Sequence, residues 1–510
     1  MKSSIGLQVS IFQRLLIMSL FVISLVGWFS WHFGSVAEFH PFGLATASRT
    51  LNVLLGVVLT TIALIVPLTS NLYSPKLVKL FVSQPIIIGG LITLILAILF
   101  NLSSHFFNTS HPWYPTISAI SITFAYFSLA SIIPYLFMIS RFLRPSYFIP
   151  TLSARAMKRI VKIQTKGGNR QDWVEVIKTV DVLANIALTS MKRNDQQLII
   201  LILRFLQEIL CNITLISGKS RYLEPGESAL FFSGLTREAK QHLEDSGLWP
   251  EAYVLFHFVR ITEICDHQQN VVFSESGKLM VATLIQAEKN NCEGVMELII
   301  LSMNTLMRTA IDTKDTSKFQ NLSYYYVLAA DGIFTSQTWM NELVRHLKHY
   351  GRLAEKNGVV RARETVVYDL CALASYLFEA KADNASDFLH HQLIPYLRFS
   401  SDASSYLSKA TLQAIVKLYW QIKSIDDDND QLELSRKNNS GEMLRKLFLE
   451  DDNKHAEILH VMLQDNKPLH WELNDRLLRF SYIPMKPKNL AEKFLEAYKA
   501  EQSSLENLSE

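Results

Sequence analysis

The sequence predicts an all-α protein in which a four-helix transmembrane domain precedes a body of many helices. Three observations carry this prediction. Four long apolar runs lie within the first 145 residues, charged residues are frequent only after them, and the apolar residues of the later region recur at helical spacing. The period-two alternation that is typical of strands is scarce.

The four apolar runs are each close to the ~20 residues that cross about 30 Å of hydrocarbon as a helix. They contain no Asp, Glu, Lys, Arg or His, and a helix satisfies every backbone polar group within such a segment. The predicted spans are residues 15–31, 51–68, 85–102 and 116–139. The first run resembles a signal peptide, but it ends at Trp28, Trp31 and His32 rather than at a small-residue cleavage site, so we expect it to remain as a helix.

Basic residues in the short flanks predict the orientation of the spans. Lys2 and Arg14 precede the first span, Lys76 and Lys79 follow the second, and Arg141 and Arg144 follow the fourth, whereas the other two loops offer only Arg49. By the positive-inside rule both termini lie in the cytoplasm. The sequence therefore predicts a multi-pass protein of the cell's inner (plasma) membrane.

The fourth span carries a face of small side chains. Ser118, Ser121, Ala125 and Ser128 follow one another at helical spacing, so they share one side of the helix. Small residues let helix backbones approach closely in a membrane. Hydroxyl groups also line pores. Both interpretations stay open: a helix-packing seam, or the wall of a pore built from several copies.

The loop after the second span contains a turn followed by basic and apolar residues. Pro75 disfavours a helical backbone at Ser74, and Lys76 begins a segment suited to the membrane interface. Residues 72–76, Leu-Tyr-Ser-Pro-Lys, resemble the Gln-Phe-Ser-Pro-Arg turn of a bacterial family of four-span predicted membrane proteins of unknown function. The resemblance covers roughly residues 10–215, although Thr189-Ser190 and Asp195-Gln196 stand where Ser-Pro and Asp-Pro are expected. It implies a topology and no activity.

The junction after the last span, residues 146–170, is predicted to be a basic juxtamembrane connector. Arg155, Lys158, Arg159 and Lys162 form a collar suited to anionic lipids at the cytoplasmic face. Residues 1–150 hold seven of the 50 Lys and Arg residues and one of the 47 acidic residues. The remaining chain is therefore near neutral, which argues against a nucleic-acid-binding surface.

Residues 171–424 are predicted to form a helical cytoplasmic domain. Successive helices with short connections are typical of antiparallel pairs and suggest an α-solenoid, although we find no repeat of fixed period. We expect helices near 249–267, 275–289, 293–311, 317–332, 336–355, 360–380, 384–397 and 402–423, the last capped by Ser401-Asp402. Residues 425–510 are predicted to be a polar C-terminal region with short helices near 441–464 and 488–503 and a disordered tail.

Sequence motifs for catalysis are missing. The chain has no P-loop, dinucleotide-binding glycine pattern, nucleophile elbow or paired-histidine zinc helix. His346 and His349 share a helical face, but no third ligand is near in sequence, and the four cysteines have no metal-binding spacing. We therefore predict no metal and no cofactor.

The sequence favours a non-enzymatic membrane anchor or scaffold with a helical interaction domain. Its expected partners are the lipid bilayer, a cytoplasmic protein and further copies of the chain. The alternative is an oligomeric pore or channel that uses the small-residue face of the fourth span. A membrane-bound enzyme ranks third, because helical bodies hold active sites without short motifs.

Overall fold

The computed structural model describes residues 41–72, 85–104, 106, 114–142, 145–167, 169–216, 236–402, 408–426, 434–449, 451–464 and 482–509. These residues are helical throughout apart from short connections, and no strand occurs among them, which confirms the all-α prediction for this part of the chain. The predicted first span, residues 15–31, lies outside the described residues.

The first helices are long. They are α1 Pro41–Leu72, α2 Pro85–Ser104, α3 Tyr114–Phe142, α4 Pro145–Lys166, α5 Arg170–Met191 and α6 Gln196–Thr214. Proline stands first in α1, α2 and α4, where its missing N–H costs nothing and its fixed φ suits a helix. The predicted spans at 51–68, 85–102 and 116–139 fall inside α1, α2 and α3.

The later helices are shorter on average. They are α7 Arg237–Ser246, α8 Trp249–Glu263, α9 Asn270–Lys289, α10 Glu293–Asp312, α11 Thr316–Gly332, α12 Gln337–Lys356, α13 Ala362–Glu379, α14 Ala385–Phe388, α15 Ile394–Asp402, α16 Lys409–Asp426, α17 Leu434–Phe448, α18 Asp452–Gln464 and α19 Met485–Ser509. A π-helical turn, Leu389–Leu393, joins α14 to α15.

One hydrogen-bonded turn ends several of these helices. At the end of α9, Asn291 donates its N–H to the Glu288 carbonyl and Cys292 donates to the Ala287 carbonyl. Asn291 has a φ of 52°, in the left-handed region, so the chain leaves the helix and α10 begins at Glu293. This is the Schellman arrangement, which satisfies carbonyl groups that the helix itself leaves unpaired. The equivalent left-handed residues at other helix ends are Asn194, Gly247, Lys314, Gly358 and Lys381.

The described residues form two compact units. One contains the chain up to Lys158 together with Lys178–Ile202, and the other contains Arg159–Ile177 and the chain from Leu203 onward. α4, α5 and α6 each contribute residues to both units.

In the first unit, α1, α2 and α3 pack against one another in all three pairs. Their shared core is apolar and includes Leu51, Leu94 and Ala97. α2 and α3 meet closely at Gly90, where a Cβ would lie 2.8 Å from the Tyr135 ring. The backbone can approach this ring only because residue 90 has no side chain.

Four of the described helices are long and apolar enough to cross a membrane. The qualifying stretches are Ala45–Ile65 in α1, Ile120–Phe137 in α3, Gln196–Thr214 and Glu293–Asp312, with a shorter apolar stretch at Ile88–Ser103 in α2. Burial separates them into two kinds. Only 22% and 31% of the stretches in α1 and α3 are buried, against 56% and 61% of those in α6 and α10, which protein covers over more than half of the stretch.

The second unit contains two layers of helices. α8, α10 and α12 form one layer, with α8 on α10 and α10 on α12. α9, α11, α13 and α16 form the other in the same manner, and consecutive helices pack between the layers. This neighbour-on-neighbour packing is the pattern that α-solenoids share.

A structural period accompanies the layers, although no sequence repeat of fixed period is evident. α8, α10 and α12 begin at Trp249, Glu293 and Gln337, equal intervals of about 44 residues, which is typical of two-helix solenoid repeats. Residues at equivalent positions of successive repeats differ in type, because burial requires only that they are apolar. The period therefore becomes visible through the helix starts.

The C-terminal region differs from the sequence prediction in three places. Ser401-Asp402 end α15 instead of capping the next helix; Ser408 accepts from the Thr411 N–H and caps α16. The single helix predicted near 441–464 is two helices, α17 and α18. The predicted disordered tail is part of α19, which buries Ala491 and Leu495 and packs on α16 and α18. This packing buries the few apolar residues of a mostly polar region, and the composition of the region alone did not indicate it.

Candidate binding cleft

The interfacial turn predicted at Ser74, Pro75 and Lys76 lies outside the described residues. The four small residues of α3 are described. Ser118, Ser121, Ala125 and Ser128 are all buried, none more than 5% exposed, and the Asn101 amide of α2 donates to the Ser121 hydroxyl at 2.7 Å. In the described bundle this face therefore packs against helices.

The predicted basic collar lies on α4, and its residues have two different surroundings. Arg159 and Lys162 pair with the buried carboxylate of Asp172 on α5, at 2.9 and 2.8 Å, and Arg159 also reaches Glu175 at 2.6 Å. The hydrogen bond from Lys162 holds the pKa of Asp172 below its ordinary value. Arg155 and Lys158 are exposed.

The neighbouring helices α10 and α12, which belong to one layer of the second unit, leave a cleft between them. Its volume is about 480 Å³, within the ~300–1,000 Å³ that ligand pockets occupy. The lining residues are Glu297, Ile300, Leu301, Asn304, Thr338, Trp339, Glu342 and His346. The wall is thus partly apolar, with one indole, two carboxylates and one imidazole.

The floor of the cleft is Asn304, which is only 1% exposed. Its Oδ1 accepts the hydroxyl hydrogen of Tyr326, a fully buried residue of α11. Burial raises the pKa of Tyr326 well above its ordinary value, so the hydroxyl stays protonated and remains a donor. Because Oδ1 is engaged, Asn304 offers the cleft its Nδ2, a donor with no acceptor among the described residues.

A second polar contact connects α10 to α12. Arg308, one turn after Asn304, donates from Nε to the Tyr350 hydroxyl at 3.1 Å. This bond raises the pKa of Arg308, which stays cationic. Asn304 and Arg308 together fix the position of α10 beside α11 and α12.

The carboxylates of the cleft come from opposite walls. Glu297 on α10 is exposed, with no ion-pair partner among the described residues. Glu342 on α12 contacts Arg345 and lies 3.0 Å from His346 Nε2. Burial lowers the pKa of His346, so its imidazole is neutral near pH 7. Glu342 is then balanced by Arg345, and Glu297 is the carboxylate of the cleft that keeps an unpaired charge among the described residues.

The histidine pair noted in the sequence is not brought together as a metal site. His346 lines the cleft, whereas His349 is exposed and does not. Within the described chain no group of three His, Cys, Asp or Glu side chains could hold a metal ion. The four cysteines are all free thiols, and burial raises the pKa of Cys265 and Cys371 to about 12.

Comparison with known proteins yields no relative: no family model, curated protein or solved structure matches the chain. The cleft therefore has to be interpreted from its own chemistry. Sequence reasoning singled out His346 but missed Glu297, Asn304 and Trp339, which come from helices whose starts are about 44 residues apart. The available signal was Asn304 itself, a polar residue on the otherwise apolar face of α10.

Proposed function

We propose that the protein is a non-enzymatic membrane anchor whose helical body binds a cytoplasmic partner. The observation that carries the anchor is the outward surface of α1, α2 and α3. Large apolar side chains are exposed there: Val53, Leu59, Leu64, Ile92, Leu96, Leu99, Leu102, Phe124, Leu129 and Phe137. A water-soluble protein rarely exposes so many apolar side chains on one set of helices, and a lipid environment accounts for them.

The helical body supports the second half of the proposal. Stacked two-helix repeats present extended surfaces to other proteins, and the cleft between α10 and α12 is a concave site within such a surface. The charge distribution of the flanks supports placing this body in the cytoplasm.

Packing of the serine face supports the anchor over the pore. A pore lined by Ser118, Ser121 and Ser128 needs these hydroxyls at a water-filled axis. In the described bundle all three are buried. Reconstituted protein is therefore expected to show no ionic conductance, and a steady conductance that a Ser121→Leu substitution abolishes would favour the pore instead.

Charge insertion into the exposed apolar surfaces tests the anchor. Leu59→Lys in α1 and Leu96→Lys in α2 place a charge in the proposed hydrocarbon, which costs roughly 2.5–3.5 kcal/mol near the centre of a span. We expect both variants to reduce the protein retained in membranes after alkaline carbonate extraction.

The matched control for that experiment is Leu301→Lys. Leu301 is an exposed leucine of α10, which is also long and apolar enough to span a membrane but is proposed to belong to the body. Retention should be unchanged. Loss of retention for Leu301→Lys alone would move the anchor to α10 and overturn the proposed topology.

A further inference from the structure

We propose that the cleft between α10 and α12 binds a lysine or arginine side chain of an extended peptide segment in a partner protein. The inference rests on the proposed function, since it names the chemistry of the partner that the body would bind. Its first support is charge. Glu297 and Glu342 line the same space from two helices, and although Glu342 contacts Arg345, Glu297 has no ion-pair partner among the described residues. A guanidinium or ammonium group is the complementary ligand.

The indole of Trp339 is the second support. It lines the cleft and is only partly buried. Tryptophan is the best aromatic partner for a cation held over its ring. Ile300 and Leu301 lie in the same wall and suit the methylene groups that carry the charge of a long basic side chain.

Asn304 decides between a peptide and a free amine. Its Oδ1 is occupied by the Tyr326 hydroxyl, so the amide presents donors to the cleft. A ligand that fills the site therefore needs a hydrogen-bond acceptor in addition to its cation. A basic residue within a peptide has both, the side-chain cation and the backbone carbonyl, whereas a simple amine has only the cation.

A binding titration tests the inference with the full-length protein in detergent micelles. The probe is a fluorescein-labelled peptide, Gly-Ala-Arg-Ala-Arg-Ala-Gly, followed by fluorescence anisotropy at about 150 mM salt, where exposed charges more than about 8 Å apart are largely screened. The comparison probe has glutamate in place of both arginines. We expect the arginine peptide to bind at least about tenfold tighter than the glutamate peptide, as a charge-assisted pair predicts.

Substitutions locate the binding. Glu297→Gln with Glu342→Gln should weaken arginine-peptide binding about tenfold or more, and Trp339→Leu should weaken it severalfold. The matched control is Glu492→Gln with Glu496→Gln, which removes the same charge from the exposed face of α19 and should leave binding unchanged. Asn304→Leu should also weaken binding. Its thermal unfolding is measured alongside, because Tyr326 loses its acceptor in that variant.

Three results would overturn the inference: failure of the arginine peptide to bind, equal weakening in the α19 control, or binding of the free cation agmatine as tightly as the peptide. The last would assign the cleft to a small amine. Peptide binding and membrane retention are measured separately. Either proposal, the peptide-binding cleft or the membrane anchor, can therefore be refuted without refuting the other.

Discussion

At the scale of single residues, His455 on α18 shows how burial sets chemistry. It is 2% exposed, packs on Phe494 of α19, and its Nε2 accepts the indole N–H of Trp420 at 3.3 Å. Burial lowers its pKa to about 4, against 6.5 for an ordinary histidine. The neutral ring is required, because protonation would set an N–H of the imidazole against the indole N–H.

The depressed pKa predicts acid sensitivity of the packing of α18 against α16 and α19. Between pH 6.5 and about 4 the unfolded chain binds a proton at His455 that the folded chain does not, so stability falls as the pH falls through this window. The loss amounts to roughly 3 kcal/mol by pH 4. Asp452 nearby opposes the shift, whereas Arg445 and Lys423 add to it.

Thermal unfolding of the full-length protein at a series of pH values checks this prediction. His455→Phe should flatten the dependence between about pH 6.5 and 4 while lowering stability near pH 7, because Trp420 loses its acceptor. The control is His460→Phe at an exposed position of the same helix, which should retain the dependence of the wild type. An equally steep dependence in His455→Phe would show that another group titrates.

At the scale of elements, the contact between α2 and α3 depends on one of two adjacent glycines. A Cβ at Gly90 would lie 2.8 Å from the Tyr135 ring, whereas a Cβ at Gly89 would meet nothing within 4 Å. The pair is a built-in comparison, since both residues lie in the interior of α2 and have the same intrinsic effect on helix stability.

Gly90→Ala is expected to destabilise the bundle by about 1–3 kcal/mol through overpacking, partly offset by about 1 kcal/mol of helix propensity. Gly89→Ala should be neutral or slightly stabilising. Loss of helical circular dichroism on heating in detergent provides the measurement. The Gly90→Ala defect should be relieved by Tyr135→Leu, and equal behaviour of the two alanine variants would contradict the close approach.

At the scale of the whole molecule, the predicted orientation follows from charge in the flanks and can be measured with a thiol reagent. In a background of Cys211→Ser and Cys292→Ser, the remaining Cys265 and Cys371 are buried and their pKa of about 12 makes them unreactive. Single new cysteines then report the side of the membrane.

In intact spheroplasts, a membrane-impermeant maleimide should label Ser110→Cys, which lies in the loop predicted to face outward. Lys158→Cys, exposed on α4 after the last span, should react only after the membrane is opened. The opposite pattern would invert the topology and place the helical body outside the cytoplasm.

The extent of sequence prediction differs between parts of the chain for physical reasons. α1, α2 and α3 were located because an uncharged apolar run of this length has one stable form in hydrocarbon. α9 to α13 lie within a few residues of their predicted bounds, because apolar residues at helical spacing and short polar breaks such as 332–336 mark them in the sequence. The division of α17 from α18 and the helical tail were missed, because their apolar positions are few and stability there comes from packing on α16.

The sequence by itself determined the helical class, the apolar runs and the basic character of their flanks, because these follow from local composition and the 3.6-residue period. Only the tertiary structure decided which side chains meet. It buried the serine face of α3, paired Arg159 and Lys162 of the collar with Asp172, and assembled Glu297, Asn304, Trp339 and Glu342 into one cleft. These side-chain contacts depend on how helices distant in sequence pack together, and the spacing of residues within one helix does not determine that packing.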